Sequence, residues 1–252
     1  MYFKTMVKAG KTLEVYRSFS KRTGKAKGTS DRAVSKEEIE KNNRRRAIIK
    51  LTRVLNANFD KYSCHISLTY RNENRPSVEQ AKKELNNFLR RLRHEYKKRG
   101  CELKYIVVTE YKNKNVHHHI VINGIKGGGT LEVVQNQWRQ GYIKCAMLDE
   151  SGQYRKLAEY LIKETDKTFK EGKAAKQRYT PSRNLVIPKT KTKTVKANRW
   201  LPEPRIPKGY YLDVDTLFNG IDPFTGRLIQ KYTLIQFAEE KKDTIVIADE
   251  IG

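Results

Sequence analysis

The sequence predicts an α+β fold in which a central, mostly antiparallel β-sheet carries helices on its faces. Three observations support this prediction. Short runs rich in β-forming residues are bounded by turn residues, and two of these runs are divided by only four polar residues suited to a hairpin. Segments with apolar residues at helical spacing lie between the strands. The predicted order is β, α, β, β, α, β, α, which is typical of a sheet packed against helices.

The first three elements are a basic helix at 35–57, a strand at 65–70 and a long helix after Ser77. Ser77 with Gln80 has the pattern of a helix N-terminal cap, and Gly100 ends the apolar stripe of the long helix. Both helices place basic residues on the face opposite their apolar stripe. We expect these residues to bind DNA: Arg44, Arg45, Arg46, Arg90, Arg91 and Arg93.

The following elements are the strands 103–111 and 116–123, which we expect to be antiparallel neighbours. A short helix near 131–138 and a strand near 142–148 come next, and a helix from about 153 to 169 completes the series.

The two ends of the chain are expected to lie outside this unit. Residues 1–35 read as an arm with a flexible, polar stretch at 21–31, and the C-terminal part reads as a small β-hairpin unit with a turn at 222–226. The predicted organisation is an N-terminal arm and basic helix (1–59), a catalytic domain (60–198) and a C-terminal extension (199–252).

The charge of the chain points to nucleic acid as its partner. Lys and Arg number 53 against 28 Asp and Glu, which gives a net charge of +25. Such an excess attracts phosphate backbones. A basic ribosome-associated or membrane-surface protein is the weaker alternative, because the basic residues are spread over several segments rather than gathered on one amphipathic helix.

A basic run at 173–199 contains three lysines that alternate with threonines. On a strand these lysines would share one face at a spacing of roughly 6.8 Å, which suits a line of phosphates. A solvated loop is the alternative interpretation. The three lysines are Lys189, Lys191 and Lys193.

The cysteines and the hydropathy indicate an intracellular setting. Cys64, Cys101 and Cys145 form no CxxC pair, and their odd number argues against a closed disulfide framework. No apolar run approaches the ~20 residues needed to cross a bilayer, and the start lacks the apolar core of a secretory signal. We expect a cytoplasmic protein with no membrane partner.

A candidate metal site lies on the two hairpin strands. Strand alternation puts His117 and His119 on one face and His118 on the other. If 112–115 closes the hairpin, Glu110 lies directly opposite His117, with β-carbons about 4.5–5.5 Å apart, and diagonal to His119 at roughly 7–8 Å. An isolated His-x-His is more often structural, but the register with Glu110 favours a site of two imidazoles and one carboxylate with open coordination positions.

A candidate nucleophile lies on the last helix. Tyr160 falls roughly 140° from the centre of the apolar stripe, so it is not an ordinary core tyrosine, and Lys163 lies one turn away on the same side. Tyr154 belongs to the stripe and is the poorer candidate. On its own, Tyr160 would be read as a surface aromatic residue.

These residues resemble the HUH endonucleases, specifically the single-tyrosine rolling-circle replication initiators of plasmids and phages, whose core is RRM-like or ferredoxin-like. Residues 65–70 resemble the first family motif, Glu110 with His117-His118-His119 the metal motif, and Tyr160 to Lys163 the Tyr-x-x-Lys motif. The motifs cover about 60–170. The stretch 178–185 further resembles members that lack a helicase domain, which adds Arg178 and Arg183 to the expected DNA-binding residues.

The resemblance implies a mechanism. Mg²⁺ or Mn²⁺ would be held by Glu110, His117 and His119, and Tyr160 would attack a phosphorus to give a 5′-phosphotyrosine and a free 3′-OH. Lys163 would orient or deprotonate the tyrosine. The substrate would be single-stranded or hairpin DNA at a replication origin. Since no GxxxxGK[ST] loop is present, unwinding and synthesis would require a host helicase and polymerase.

Three alternatives remain open at this point. A transposase of the same enzyme class would use the same chemistry on a terminal hairpin. A DNA- or RNA-binding protein without catalysis would use charge and aromatic stacking alone. An iron oxygenase could use two histidines and one carboxylate, but it would have no use for the charge of +25 or for Tyr160.

Overall fold

The computed structural model describes residues 1–20, 35–112, 115–170, 178–222 and 225–237. Four predicted features fall wholly or partly outside these ranges: the stretch 21–31, the hairpin loop at 112–115, the start of the basic run 173–199 and the turn at 222–226. The described strands form two five-stranded sheets that are accompanied by four helices. The predicted α+β class is therefore confirmed.

The secondary structure elements are numbered in chain order. The helices are α1 (Lys36–Asn58), α2 (Val78–Lys98), α3 (Thr130–Gln137) and α4 (Arg155–Lys170). The strands are β1 (Tyr2–Ala9), β2 (Thr12–Ser18), β3 (Cys64–Leu68), β4 (Tyr105–Lys112), β5 (Asn115–Ile122), β6 (Ile143–Met147), β7 (Thr180–Pro181), β8 (Thr190–Val195), β9 (Tyr210–Asp222) and β10 (Arg227–Gln236).

The central sheet has the strand order β6-β3-β5-β4-β7, and each neighbouring pair is antiparallel. Its elements run β3, α2, β4, β5, α3, β6, α4 along the chain. This is the predicted order. The Ser77 side chain accepts a hydrogen bond from the backbone N–H of Gln80, so the predicted cap of α2 is present. The Gln80 side chain bonds Glu84 instead of closing the box.

Helices cover both faces of the central sheet. On one face, Ile66 and Ile120 pack in a core with Phe88 of α2 and Val134 of α3. The opposite face packs against α1 and α4, and its core includes Val108, Val121, Leu51 and Leu161. The strand alternation that separates these two cores also decides which polar side chains of β3, β4 and β5 face α4.

The N-terminal segment is not an arm over the part that the structure describes. Residues 1–20 form the β1–β2 hairpin, which pairs with β8 on one side and with β10 on the other. The resulting sheet, with the order β8-β1-β2-β10-β9, is called the outer sheet here. The prediction was wrong because the partners of β1 and β2 lie far away in the sequence, so that no local pattern reveals them. The C-terminal hairpin was predicted correctly, as β9 and β10 pair antiparallel.

Helix α1 lies between the two sheets. On the side of the outer sheet, Arg53 forms an ion pair of 2.6 Å with Glu14, and the Asn56 amide donates to the Thr12 hydroxyl at 3.1 Å. The turn between β1 and β2 approaches the helix closely. Gly10 has a φ of +56°, and a β-carbon there would overlap the backbone carbonyl of Asn56. The layers are therefore α2 with α3, the central sheet, α1 with α4, and the outer sheet.

Strands of the outer sheet come from all three segments predicted as separate units (1–59, 60–198 and 199–252). The boundaries at 59 and 198 concern independent folding, which strand pairing does not test, and they stay a prediction. Among the described helices, none combines the length and the apolar character that a membrane crossing requires.

Candidate active site

The hairpin of β4 and β5 has the register expected from the sequence. Glu110 pairs with His117, and Val108 pairs with His119. Alternation along β5 therefore turns His117 and His119 toward α4, while His118 points to the opposite core.

His118 is a structural residue on the far face of the sheet. Its side chain is fully buried; Nε2 shares a hydrogen bond of 2.9 Å with the Tyr70 hydroxyl, and Nδ1 shares one of 2.9 Å with the Thr109 hydroxyl. Burial lowers the pKa of His118 to about 3, so the ring is neutral. Both ring nitrogens are thus used inside the protein, and the middle histidine of the three is not available to a ligand.

Three side chains on the α4 face have the spacing of a metal site. Glu110, His119 and Glu164 each offer one ligand atom, and these atoms lie within 4.8 Å of one another. His119 Nε2 is 3.7 Å from Glu110 Oε2. His119 Nδ1 shares a hydrogen bond of 3.1 Å with Ser67 Oγ, which fixes the ring and directs Nε2 into the cluster.

The donor atoms of this cluster fit a cation. His119 Nε2 is buried and has no hydrogen-bond partner among the described residues. Burial raises the pKa of Glu164, and a hydrogen bond and charge repulsion from Glu110 raise it further. His119 itself stays neutral, since burial lowers its pKa. Two adjacent carboxyls beside an unpartnered imidazole nitrogen form an arrangement that a divalent ion would stabilise.

Glu164 was missed from the sequence, although a signal for it exists. It lies four residues after Tyr160 on α4, so the two side chains share one flank of the helix. Extending the helical analysis of Tyr160 by one turn would have placed a carboxylate beside the phenol.

His117 does not belong to the group of three. The strand register puts it opposite Glu110, as predicted, and its side chain is half-buried. The position of the β-carbon agrees with the prediction, but the closest donors around His119 are the two carboxyls.

Tyr160 lies against the histidines. Its ring stands edge-on to the ring of His119 at 5.4 Å and to that of His65 at 5.7 Å. The side chain is 40% exposed, so it borders the core and can reach a substrate. Burial raises the pKa of Tyr160, and the charges of Glu164 and Glu110 raise it further. The phenol therefore keeps its proton at neutral pH unless another group accepts it.

The two other residues predicted on α4 occupy different environments. Tyr154 is buried, and its hydroxyl donates to the Asp149 carbonyl at 3.2 Å, which agrees with its assignment to the apolar stripe. Lys163 is exposed on the turn after Tyr160 and lies near enough to Glu164 to act on its carboxyl electrostatically.

His65 is the second residue that the sequence did not single out. Its ring stacks on His119 at 5.6 Å with an interplanar angle of 22°, and its buried Nε2 has no hydrogen-bond partner among the described residues. Burial, followed by the charge of His119, lowers its pKa to about 4. His65 lies on β3, and β3 pairs with β5. The sequence alone does not say which strands are neighbours, so this contact could not be found from it.

The predicted DNA-binding arginines fall into two groups. Arg45 forms an ion pair of 3.1 Å with Asp222, and Arg91 donates to the Gln137 carbonyl at 2.8 Å, so both have structural partners. Arg93 and Arg183, predicted from distant segments, line one open groove together with Lys97. The remaining arginines are exposed or half-buried: Arg44, Arg46, Arg90 and Arg178.

The lysines of the basic run form a strand, as one of the two interpretations predicted. Lys191 and Lys193 lie in β8, are exposed and pair with Met6 and Lys4 of β1, whereas Lys189 directly precedes the strand.

The part of the chain that carries this site matches a known family. Residues 63–169 match the family model described as replication-associated protein ORF2. The match begins just before β3 and extends to the last turn of α4, so it includes Glu110, the three histidines and Tyr160. It supports a family of replication initiators and a role in DNA replication. Neither the curated proteins nor the solved structures that were searched give a match.

Proposed function

We propose that this chain is a metal-dependent nicking and joining endonuclease that starts rolling-circle replication through a 5′-phosphotyrosine intermediate. One observation carries the proposal. The phenol of Tyr160 lies edge-on against His119, which itself belongs to a cluster with metal-ligand spacing. The match to replication-associated proteins over residues 63–169 supports the choice of DNA as substrate.

In this proposal Glu110, His119 and Glu164 hold Mg²⁺ or Mn²⁺, and His117 is a fourth ligand that reaches the ion from its position opposite Glu110. When bound, such an ion polarises the scissile phosphate as a Lewis acid and orients it. The mixed donor set of imidazoles and carboxylates suits these metals.

Tyr160 performs the covalent step. Its Oη attacks the phosphorus, so that the Oη–P bond forms while the P–O3′ bond breaks. The phenol proton leaves to a base or to water, and the departing oxygen takes up a proton to become a 3′-OH. Because a phosphodiester replaces a phosphodiester, rejoining is the reverse reaction and needs no ATP.

The surrounding residues determine how readily the phenol reacts. The raised pKa of Tyr160 means that a proton acceptor is required near neutral pH. Lys163 is the candidate for orienting or deprotonating the phenol, because it lies one turn along the same helix. The ring of His65 packs against the phenol ring and restricts its orientation.

The test is formation of a covalent adduct. The protein would be incubated with Mn²⁺ and a set of single-stranded oligonucleotides that tile the replicon encoding it. We expect an adduct that resists denaturation, with DNA attached to the peptide that contains Tyr160.

Two variants give a matched comparison. Tyr160→Phe removes the nucleophile at a partly exposed position and should abolish the adduct while DNA binding persists. Tyr154→Phe removes a buried hydroxyl from the same helix region and should leave the adduct intact. An adduct that survives in Tyr160→Phe would overturn the assignment, and the absence of any adduct in the unmodified protein would favour binding without catalysis.

A further inference from the structure

The outer sheet has one face toward α1 and one face turned away from it. On β1, Thr5 and Val7 line the cavity next to Ile48 of α1. Alternation along the strand therefore places Lys4 on the opposite face, which is called the distal face here.

A row of three cations crosses three neighbouring strands on the distal face. Lys193 of β8 pairs with Lys4 of β1, and Lys4 pairs in turn with Arg17 of β2. Adjacent strands lie about 4.8 Å apart, so the row is roughly 10 Å wide. Lys191 shares this face one residue pair further along. Over the described residues of β8, β1 and β2, the distal face carries no acidic side chain, since Glu14 turns toward α1.

The positive charge of this row is not neutralised within the described chain. Arg17 donates to neutral acceptors, Gln230 Oε1 at 2.8 Å and the Tyr232 hydroxyl at 3.2 Å. Lys4 is half-buried; burial lowers its pKa, and the charges of Arg17 and Lys193 lower it further. A bound anion would relieve this repulsion, whereas a cation or an apolar partner would not.

Aromatic rings continue the row at its Arg17 end. The guanidinium of Arg17 lies 5.9 Å from the centre of the Tyr2 ring. Tyr2 stands edge-on to Trp200 at 5.3 Å, and Trp200 stacks on Phe19 at 4.6 Å. Phe19 nevertheless stays 44% exposed, so it retains surface on which a further ring could stack.

We propose that the distal face binds single-stranded DNA, with phosphates on Lys193, Lys4 and Arg17 and a base stacked on Phe19. Cations beside an open aromatic ring are the combination by which proteins hold single strands, because the bases of a duplex are not free to stack on a side chain. The surface deepens the proposed function, on which it rests, by giving the nicked strand a second contact outside the active site.

The test measures the affinity of the full chain for a fluorescent thymidine 30-mer as a function of salt concentration. Each phosphate contact contributes about 0.7 to the slope of log affinity against log salt for a single strand. The double variant Lys4→Ala/Lys193→Ala should therefore reduce this slope by about 1.4. Lys82→Ala/Lys126→Ala removes the same net charge from exposed positions elsewhere and should leave the slope unchanged.

Phe19→Ala separates stacking from charge. It should weaken binding by about tenfold without changing the salt slope. Equal slopes for Lys4→Ala/Lys193→Ala and the unmodified protein would overturn the proposal, and so would an equal reduction in the control pair. Adduct formation on a short oligonucleotide is measured in parallel. If the unmodified protein forms no adduct, the proposed function fails, but the slope still decides whether the distal face binds DNA.

Discussion

The central and outer sheets differ in how far apart their strands lie in the sequence. The candidate active site uses β3, β4, β5 and α4, and its side chains all lie within the matched segment 63–169. The outer sheet joins β1 and β2 to β8, β9 and β10 from the other end of the described chain. The two sheets share α1 as a packing partner, yet only the central sheet carries clustered metal-ligating side chains among the described residues.

This difference separates chemistry from scaffold and from substrate contact. The reactive groups lie on a hairpin and on the helix that packs on it, so their geometry depends on a few local pairings. The cationic row of the outer sheet depends on strands that meet only when both ends of the described chain fold together. Changes in the central sheet should therefore affect the reaction, and changes in the outer sheet should affect stability and affinity.

The largest effect is expected within the metal cluster. His119→Ala removes the imidazole whose Nε2 faces the two carboxyls, so nicking should fall by more than about a hundredfold, since loss of even an indirect support of a metal site costs 10- to 100-fold. His117→Ala removes a residue outside the group of three and should cost about tenfold. The measurement is the rate of adduct formation at saturating Mn²⁺. A stronger loss in His117→Ala than in His119→Ala would reverse the ligand assignment.

How far the sequence predicts this site depends on which residues are neighbours along one element. Glu110 and His117 could be paired because a loop of four residues fixes the hairpin register, and Tyr160 could be placed because helical periodicity fixes its angle. His65 could not be assigned, since its contact with His119 requires that β3 lies beside β5. Lys4 and Arg17 were missed for the same reason, because β1 was not recognised as a strand.

The second prediction concerns stabilisation by the ion. At a Mn²⁺ concentration a hundred times the dissociation constant, binding stabilises the folded state by about 2.7 kcal/mol, which corresponds to roughly 5–10 °C in Tm for a chain of this size. Glu164→Gln should lose most of this shift, because it removes one of the three clustered donors. Thermal unfolding with and without Mn²⁺ provides the measurement.

The same variant has a pH signature without the ion. The raised pKa of Glu164 means that the folded state holds its proton more tightly than the unfolded state does. The stability that this carboxyl contributes is therefore present at low pH and is lost as pH rises above its ordinary value of 4.5. Glu164→Gln should be less sensitive to pH in this range than the unmodified protein. An identical pH dependence in both proteins would argue against close contact of Glu164 with Glu110.

The third prediction concerns the junction between the outer sheet and α1. Gly10→Ala should destabilise the fold by about 2 kcal/mol or more, because the new β-carbon meets the Asn56 carbonyl in addition to the strain of a positive φ. Gly100→Ala is the matched control. Gly100 also has a positive φ, +65°, but a β-carbon there would contact nothing within 4 Å, so only the strain of about 1 kcal/mol remains. Equal losses in a denaturant titration would show that the close approach at Gly10 does not matter.

The smallest effect is expected at Lys4, where stability and the proposed DNA contact oppose each other. Lys4→Met removes a half-buried charge that lies between Arg17 and Lys193 and keeps the length of the side chain, so Tm should rise. Screening limits the gain to at most about 0.5 kcal/mol, or roughly 1–2 °C. Lys61→Met is the opposite case, because Lys61 forms an ion pair of 2.8 Å with Glu150, and it should not raise Tm. If Lys4→Met raises Tm while it lowers the salt dependence of DNA binding, the repulsion in the cationic row is retained for binding rather than for folding. A fall in Tm would instead mean that the lysine stabilises the sheet, and the row would lose its interpretation as a surface that requires an anion.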